Sequence, residues 1–448
     1  MEESKRIILD TVGDMLARGD LQQAVTTVGG LHSADAAEVL SGLDMDDGAA
    51  VLVRMVPRQA ARALLEMEEV LQVEIAARLR AGQLHDLLAS MPVDEAVDLL
   101  RDVPEEKRLL LLRLFEREEA GELEKLLAYG DRSAGGLMTP DFVAVSPRAT
   151  AEEVIEKLRA VDPDVETIYY VYVVSDDGVL EGVLSLRELI LSPPGRLVEQ
   201  MMSSDPISVR PDEDQERVAE VISKYDLLAA PVTDAEGGMM GIVTVDDVMD
   251  VIGDEVEEDL MKFAGATGLE DERPRGLLSD LGRRLPWFLV AVVVEVLVAG
   301  GILKLYSPIL EKSIVLIFFI PLLVTMGGNV AVQSSTIIAR MLTTGKPIKR
   351  QTIKEVSREV GWGVLVGVVA GGIVAGLSLF LHLGASIGLV VGLSLGLTVV
   401  AASLVGCALP ITLKALDRDP GIVSGPMIGT TMDVLSLAIY LGIGRLLI

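Results

Sequence analysis

Along roughly the first 130 positions apolar residues recur at the three-and-four spacing of amphipathic helices, in short runs that open on an Asp or a Pro. They include LHSADAAEVL at 31, LDMDDGAAVL at 43, VPRQAARALL at 56, MPVDEAVDLL at 91 and VPEEKRLLLL at 103. Pro suits a first helical turn, where its missing N–H has no acceptor anyway, and an Asp oxygen accepts from the open N–H groups there. The pattern predicts short stacked helices, a superhelix over residues 1–130. Past Gly130 the chain turns to β-branched runs flanked by helical ones, and it repeats itself. MTPDFVAVSPRATAEEVIEKL at 138 matches MSSDPISVRPDEDQERVAEVI at 202, and YVYVVSDDGVLEGVLSLRELI at 170 matches LAAPVTDAEGGMMGIVTVDDVM at 228. Each copy predicts a helix, a strand, an acidic-Gly turn, a second strand and a closing helix. The offset is 64 residues in the first half and 59 in the second, which places a short insertion near Pro163 in the first copy. The copies occupy 131–200 and 201–252, and a connecting helix over 253–280 follows. Five apolar stretches at about 285–305, 313–336, 360–382, 385–411 and 422–445 are each long enough to cross a hydrocarbon core ~30 Å thick, so 281–448 is read as a membrane domain.

Charge divides at the same place. The 448 residues carry 39 Lys+Arg against 67 Asp+Glu, yet from residue 276 onward there are 13 bases and 8 acids, so the excess of acid lies entirely in the front part. A surface that negative repels polyanions and gathers cations, which excludes a nucleic-acid partner. Met1 is followed by a charged segment with no apolar core, so the N-terminal part is expected in the cytosol. The loop before the first span holds Arg273, Arg275, Arg283 and Arg284, and the one after the second holds Arg340, Lys346, Lys349, Arg350, Lys354 and Arg358. The positive-inside bias agrees, and it puts the C-terminus outside a multi-pass protein of the cell membrane. The single cysteine, Cys407, lies in an apolar span and forms no intrachain disulfide. No CxxC, HExxH or Walker loop appears, which speaks against zinc or nucleotide-hydrolysing chemistry.

The last span, GIVSGPMIGTTMDVLSLAIYLGI at 421, carries Asp433 near its middle, where an acid costs roughly 2.5–3.5 kcal/mol. An acid at that depth is a candidate functional group. Gly425, Pro426 and Gly429 are expected to loosen this helix and free carbonyls beside the carboxylate, a donor set for a hard cation. The alternative is an Asp that only ties helices together. Glu295 is a second intramembrane acid, open to an ion-route or a packing role. MGGNVAVQSS at 326 puts Asn329, Gln333 and Ser334 at a depth where polar groups are buried or line water. The third and fourth spans carry small-xxx-small glycine stripes, a packing device. One Asp makes a poor Mg²⁺ site alone, whereas two across a twofold axis leave room for a hydrated ion, so a homodimer is expected. On the soluble side, Asp94, Glu95 and Asp98 are read as a solvated helix face. From 246 to 259 eight acids run with no Lys or Arg among them, an uncompensated density that calls for a counter-ion.

The repeat resembles a tandem CBS pair, the Bateman module. Its corner GIVTVDD looks like that family's nucleotide corner, with Thr244 and Asp247 at the contacting positions, and the first copy has Ser185 and Glu188 there. With SAGGLMTP at 133, ETIYYVYVV at 166, GGNVAVQSS at 327 and DPGIVSGPMIGTTMD at 419, the whole chain resembles the MgtE family of magnesium channels. The resemblance implies a multidomain membrane protein: an all-α superhelix, an α+β CBS module, a connecting helix and a five-span α-helical pore domain. It implies that Asp433 is the selectivity carboxylate, helped by main chain near Gly429 and by Asn329, with Asp419 at the cytoplasmic mouth. It implies regulatory Mg²⁺ on Asp94, Asp98, Glu216, Asp226, Asp247, Asp250, Glu255, Glu258 and Asp259, and ATP at the CBS pair near Tyr170 and Arg187. Val330, Ala331 and Val332 after GGN, and Gly425 before the Pro, depart from some relatives at the pore. No enzyme activity is expected. The competing functions are an ion-coupled exchanger using Glu295 and a membrane-tethered sensor that transports nothing.

Overall fold

Asp or Pro starts several of the N-terminal helices as the pattern predicts, although His32 caps the helix of the first quoted run. The Asp20 carboxylate accepts from the Gln23 N–H, Asp44 accepts from that of Asp46, and Pro57 opens the helix Pro57–Leu65. The computed structural model describes residues 2–161, 168–263, 277–343, 349–416 and 425–448, and the chain divides into two units, Met1–Glu255 and Val256–Ile448. In the first unit helices α1 (Glu2–Ala17) to α10 (Arg117–Leu127) follow one another through short turns. In α8 (Val93–Asp102) the apolar positions Ala96, Val97, Leu99 and Leu100 are buried in a core that continues from Val12 to Leu126 and on to Val251.

After α11 (Ala134–Leu137), the first copy consists of β1 (Ala144–Val145), α12 (Ala151–Ala160), β2 (Tyr170–Val174), β3 (Leu180–Ser185) and α13 (Leu186–Leu191). The second consists of α14 (Gln215–Tyr225), β4 (Ala229–Thr233), β5 (Met239–Thr244) and the start of α15 (Val245–Phe263). Both hairpins are antiparallel, and their turns use Gly178 at φ +83° and Gly237 at φ +85°, a left-handed conformation that glycine adopts without a Cβ clash. The copies are locked reciprocally. Thr139, at the entrance to the first, bridges Ile242 of the second, while Ser203, 64 positions later, bridges Val183 of the first, 59 before Ile242. The two sequence offsets are therefore the two ends of one pseudo-twofold pairing. The insertion near Pro163 lies outside the described residues.

The predicted boundary at residue 252 is not a break, because α15 runs on to Phe263. Residues 264–276 of the predicted connecting helix lie outside the described residues.

The described residues of the second unit include five helical segments long and apolar enough to cross a membrane. The first is α16 (Leu277–Val294), a π-helical turn at Glu295–Ala299, and α17 (Gly300–Leu305). Helix α18 (Ser307–Lys312) and a 3₁₀ turn at Ile314–Phe319 lead into α19 (Ile320–Thr343), followed by α20 (Lys349–Phe380), α21 (Ala385–Ala415) and α22 (Gly425–Leu447). All five run past one end of the apolar stretches that predicted them, α20 by eleven residues at its start. Lys354, Glu355, Arg358 and Glu359 mark where hydrocarbon ends, whereas the backbone hydrogen bonds continue through them. The glycine stripes form a packing seam, as expected: a Cβ on Gly392 would stand 2.6 Å from the Gly371 carbonyl, and one on Gly367 2.7 Å from that of Gly396.

Candidate functional site

Asp433 sits half-buried on α22, and its carboxyl meets that of Glu295 within hydrogen-bonding reach. Glu295 opens the π-helical turn of the first span. Such turns are rare, and they displace the side chains around them relative to a regular helix. The loosening expected from Gly425, Pro426 and Gly429 is absent. α22 is continuous from Gly425, because Pro426 falls in the first turn, where no intrahelical N–H bond is lost. Gly429 instead leaves open space beside the helix, where an added Cβ would touch nothing within 4 Å. On α19, Asn329 and Gln333 stand one turn apart on the outside of the single chain, while Ser334 and Ser335 between α19 and its neighbours are buried. Close approach of α19 to α22 is permitted by Gly327, whose Cβ would lie 2.5 Å from Ser436 Oγ. Asp419 lies outside the described residues.

In the first unit the solvated-face reading of α8 holds for the exposed Asp98 but not for Asp94 and Glu95. Asp94 is only 5% exposed, and Glu95 is half-buried within electrostatic reach of Asp246, Asp247 and Asp250 at the start of α15. Burial first, then the charges of Asp98, Asp247, Asp250 and Asp246, push the Glu95 carboxyl up to about 7. Asp247 is pushed up to about 6, again chiefly by burial, although Thr244 bonds to it. Asp98 is held from the other side: Arg101 Nη1 donates to its Oδ1 at 2.6 Å, while Nη2 donates to the carbonyls of Leu126 at 3.1 Å and Tyr129 at 3.3 Å. The structure thus draws Asp98, Asp247 and Asp250 into one acidic neighbourhood, together with Glu95, which the sequence reading gave to a solvated face, and Asp246, which it counted only within the acidic run. The signal for Glu95 was its place between Asp94 and the buried Ala96, on a helix whose buried stripe is wide. Among the described residues no three acidic, His or Cys side chains stand close enough to form a ready-made metal site, so the neighbourhood is concentrated charge without preset coordination.

The remaining regulatory candidates are dispersed. Glu255 Oε1 accepts from Gln215 Nε2 at 2.7 Å, a bond from the buried first turn of α14 to α15. Glu216 and Asp226 stand at opposite ends of the eleven-residue α14, ~15 Å apart along its axis, and Asp226 serves as its left-handed C-cap at φ 52°. Glu258 belongs to the second unit and pairs with Lys262 at 2.5 Å; Asp259 follows it there.

The two nucleotide corners satisfy themselves. Thr244 Oγ1 donates to Asp247 Oδ2 at 2.6 Å, and Ser185 donates to Glu188 Oε2 through its N–H at 3.1 Å and its hydroxyl at 2.8 Å. Thr244 is 2% exposed and turned to Asp247, so the structure does not offer it to a nucleotide. A cavity of about 210 Å³ does lie against the first corner, lined by Tyr170, Tyr172, Ser185 and Glu188 from the first copy and by Asp205 and Ile207 from the second. Arg187 is exposed and is not among its lining residues.

These features coincide with known proteins. The profile of a divalent cation transporter family, MgtE, matches residues 320–443, that of the MgtE intracellular N domain matches 31–132, and that of the CBS domain matches 134–194 and 198–254. The chain is 36% identical to the magnesium transporter MgtE of Thermus thermophilus over 100% of its own length and 99% of that protein's. It is 31% identical to the magnesium transporter MgtE of Bacillus subtilis over 84% of its own length and 83% of that one's. Among solved structures, the cytosolic domain of the Mg²⁺ channel MgtE in complex with ATP matches 54% of this chain and 99% of its own, at a TM-score of 0.52 and 37% identity. With relatives aligned over its whole length, and with all three kinds of domain in the family's order, the chain belongs to the MgtE family of divalent cation transporters.

Proposed function

We propose that the chain is a Mg²⁺ channel of the cell membrane whose opening is restrained by cytosolic Mg²⁺. The observation that carries the reading is the intramembrane Asp433, which lies within the segment that matches the transporter family and is set beside Glu295 of the first span. A hydrated dication is best held by one or two carboxylates with its waters kept. Two chains related by a twofold axis would bring two Asp433 to one path. The exposed Asn329 and Gln333 support that dimer, since polar side chains on the lipid-facing outside of a membrane helix need a second copy or water against them. Arg and Lys in the loops before the first span and after the second favour cytosolic N-terminal domains and an outside C-terminus.

Regulation follows from the acids of α8 and α15. With Mg²⁺ scarce, Glu95, Asp98, Asp246, Asp247 and Asp250 repel one another. With Mg²⁺ plentiful a hydrated ion neutralises them and favours the closed arrangement. Helix α15 carries this bias, because it starts at the second CBS corner and its last residues belong to the membrane unit. Asp94, Glu216, Asp226, Glu255, Glu258 and Asp259 remain candidates for further cation contacts, and the cavity at the first corner is the candidate nucleotide site.

Mg²⁺ influx into liposomes holding the purified chain, with no proton or sodium gradient imposed, tests the reading. Influx that is lost in Asp433→Ala supports a channel. A requirement for either gradient would favour the ion-coupled exchanger that uses Glu295, and no influx from the intact chain would leave only a sensor.

A further inference from the structure

Arg101 on α8 is 15% exposed, and its guanidinium is engaged inside the chain. Nη1 donates to Asp98 Oδ1 at 2.6 Å and to the Gly136 carbonyl at 3.4 Å, while Nη2 donates to the carbonyls of Leu126 at 3.1 Å and Tyr129 at 3.3 Å. One carboxylate with three carbonyls is the kind of oxygen set that a hard divalent cation takes from a protein. Here a guanidinium fills it, with a planar fork that reaches several acceptors in fixed directions. Leu126 and Tyr129 stand at the C-terminal end of α10, the negative end of its dipole, which adds to the attraction.

These acceptors mark the joint where the superhelix passes into the CBS module. Gly136 belongs to α11, and an added Cβ there would run into the carbonyls of Gly130 and Asp131, so the turn between α10 and α11 is closely folded. That turn is fastened to the second CBS copy by backbone bonds. Ala134 N–H donates to the Glu213 carbonyl at 2.7 Å, Gly135 N–H to that of Pro211 at 2.9 Å, and Gln215 N–H to that of Arg132 at 3.0 Å. Arg101 continues this tie from the start of α14 to α8. The superhelix uses the same device within itself: Lys107 Nζ on α9 (Glu105–Leu112) donates to the carbonyls of Ala77 at 3.1 Å and Leu79 at 2.8 Å, around the end of α6 (Glu69–Arg78).

We propose that Arg101 is a resident cation that keeps this joint closed without Mg²⁺ and, by holding Asp98 Oδ1, weakens the grip of the acidic neighbourhood on Mg²⁺. The second half rests on the regulatory reading proposed above, and the first stands apart from it. The joint then acts as a fixed strut, and Mg²⁺ works on the acids of α8 and α15.

Limited trypsin digestion of the full-length chain in detergent, in EDTA and over a Mg²⁺ series, tests both halves. Cutting after Arg132, taken relative to cutting after the remote Arg18, reads the joint. The Mg²⁺ concentration for half-maximal protection of the remaining sites reads the acids. In the parent chain the relative rate after Arg132 should differ by less than about twofold between EDTA and saturating Mg²⁺. Arg101→Gln should be cut there about tenfold faster in EDTA, and Arg101→Lys, which keeps the charge without the fork, at an intermediate rate. Protection should need about threefold less Mg²⁺ in Arg101→Gln and an unchanged concentration in Arg101→Lys. In an Asp98→Asn background the change to Gln should no longer shift that concentration, a result that a merely structural role would not give. Equal relative cutting in the parent and Arg101→Gln, including a variant loosened at every site alike, would overturn the resident cation, as would a parent rate that falls about tenfold with Mg²⁺. An unshifted Mg²⁺ requirement in Arg101→Gln would overturn the shared carboxylate. No Mg²⁺ protection in the parent would overturn that half together with the regulatory reading, while the rates in EDTA still decide the joint.

Discussion

Thr244 Oγ1 donates to Asp247 Oδ2 at 2.6 Å, and this bond holds the carboxylate of the second CBS corner, whose charge reaches Glu95 on α8. The corner that resembles a nucleotide contact therefore serves the cation side of the molecule. Thr244→Val keeps the shape and removes the bond, which for a charged acceptor contributes about 1.5–3 kcal/mol. Roughly tenfold more Mg²⁺ should then be needed for half-maximal protection of the chain from limited proteolysis, with ATP affinity unchanged. If nucleotide binding falls and Mg²⁺ protection does not, the corner has been assigned to the wrong ligand.

Glu95 at about 7 and Asp247 at about 6 give the soluble unit a pH dependence with a definite sign. Both are raised chiefly by burial, so each keeps its proton in the folded arrangement over a range in which the unfolded chain has lost it. That contribution is complete below the ordinary carboxylate range and is lost as pH rises through 6 and 7. In EDTA the chain should be least stable above pH 7 and gain stability toward pH 5.5. With Mg²⁺ present, protons and cation compete, and apparent Mg²⁺ affinity should fall over the same interval. Glu95→Gln should raise the melting temperature in EDTA at pH 8 by about 2–4 °C, as for ~1 kcal/mol in a unit of this size, and flatten the pH profile. A melting temperature that does not change between pH 5.5 and 8 would sink this account.

Much of this arrangement was legible in the sequence, because periodicity encodes it directly. The Asp and Pro helix starts, the CBS repeat and the five apolar stretches all appear as elements. Even the 64 and 59 offsets mark a physical pairing, that of Thr139 with Ile242 and of Ser203 with Val183. What stayed hidden depends on neighbours distant in the chain. The wide buried stripe of α8 hints that Glu95 is not fully solvated, but nothing local shows that the acids of α15 are what it meets. The π-helical turn at Glu295 sits in an ordinary run of Val and Leu, and Tyr172 reads as one more strand aromatic until its hydroxyl is found to lack a partner. Pro426 misled for the opposite reason, since a proline breaks a helix only in its interior and not in its first turn.

The glycine seam between α20 and α21 permits a paired test of packing. A Cβ on Gly371 would run into the Gly392 carbonyl, a backbone atom that cannot move aside alone, whereas one on its neighbour Gly372 would meet nothing within 4 Å. Gly371→Ala should cost about 1–3 kcal/mol through forced separation of the helices. Gly372→Ala should be neutral or mildly stabilising, because alanine is the better helix former. Melting temperatures of the two variants in detergent separate close packing from propensity, and equal values would show that the seam does not set the helix spacing.

Glu295 and Asp433 meet inside the membrane unit, so the two acids need not be equivalent. Asp433 lies on the helix that matches the transporter family, whereas Glu295 lies on the first span, outside the matched segment 320–443. If Asp433 holds the hydrated ion and Glu295 orients it, removing each charge has a different effect. Asp433→Asn deletes a ligand oxygen's charge at the site and should abolish Mg²⁺ influx into liposomes. Glu295→Gln retains a hydrogen-bonding group beside Asp433, so influx should persist with the half-saturating Mg²⁺ concentration raised by about tenfold. Glu295→Ala, which removes the group altogether, should do worse than Glu295→Gln on the same scale. Equal loss in all three variants would make Glu295 a direct ligand, and no change in either Glu295 variant would reduce its contact with Asp433 to packing.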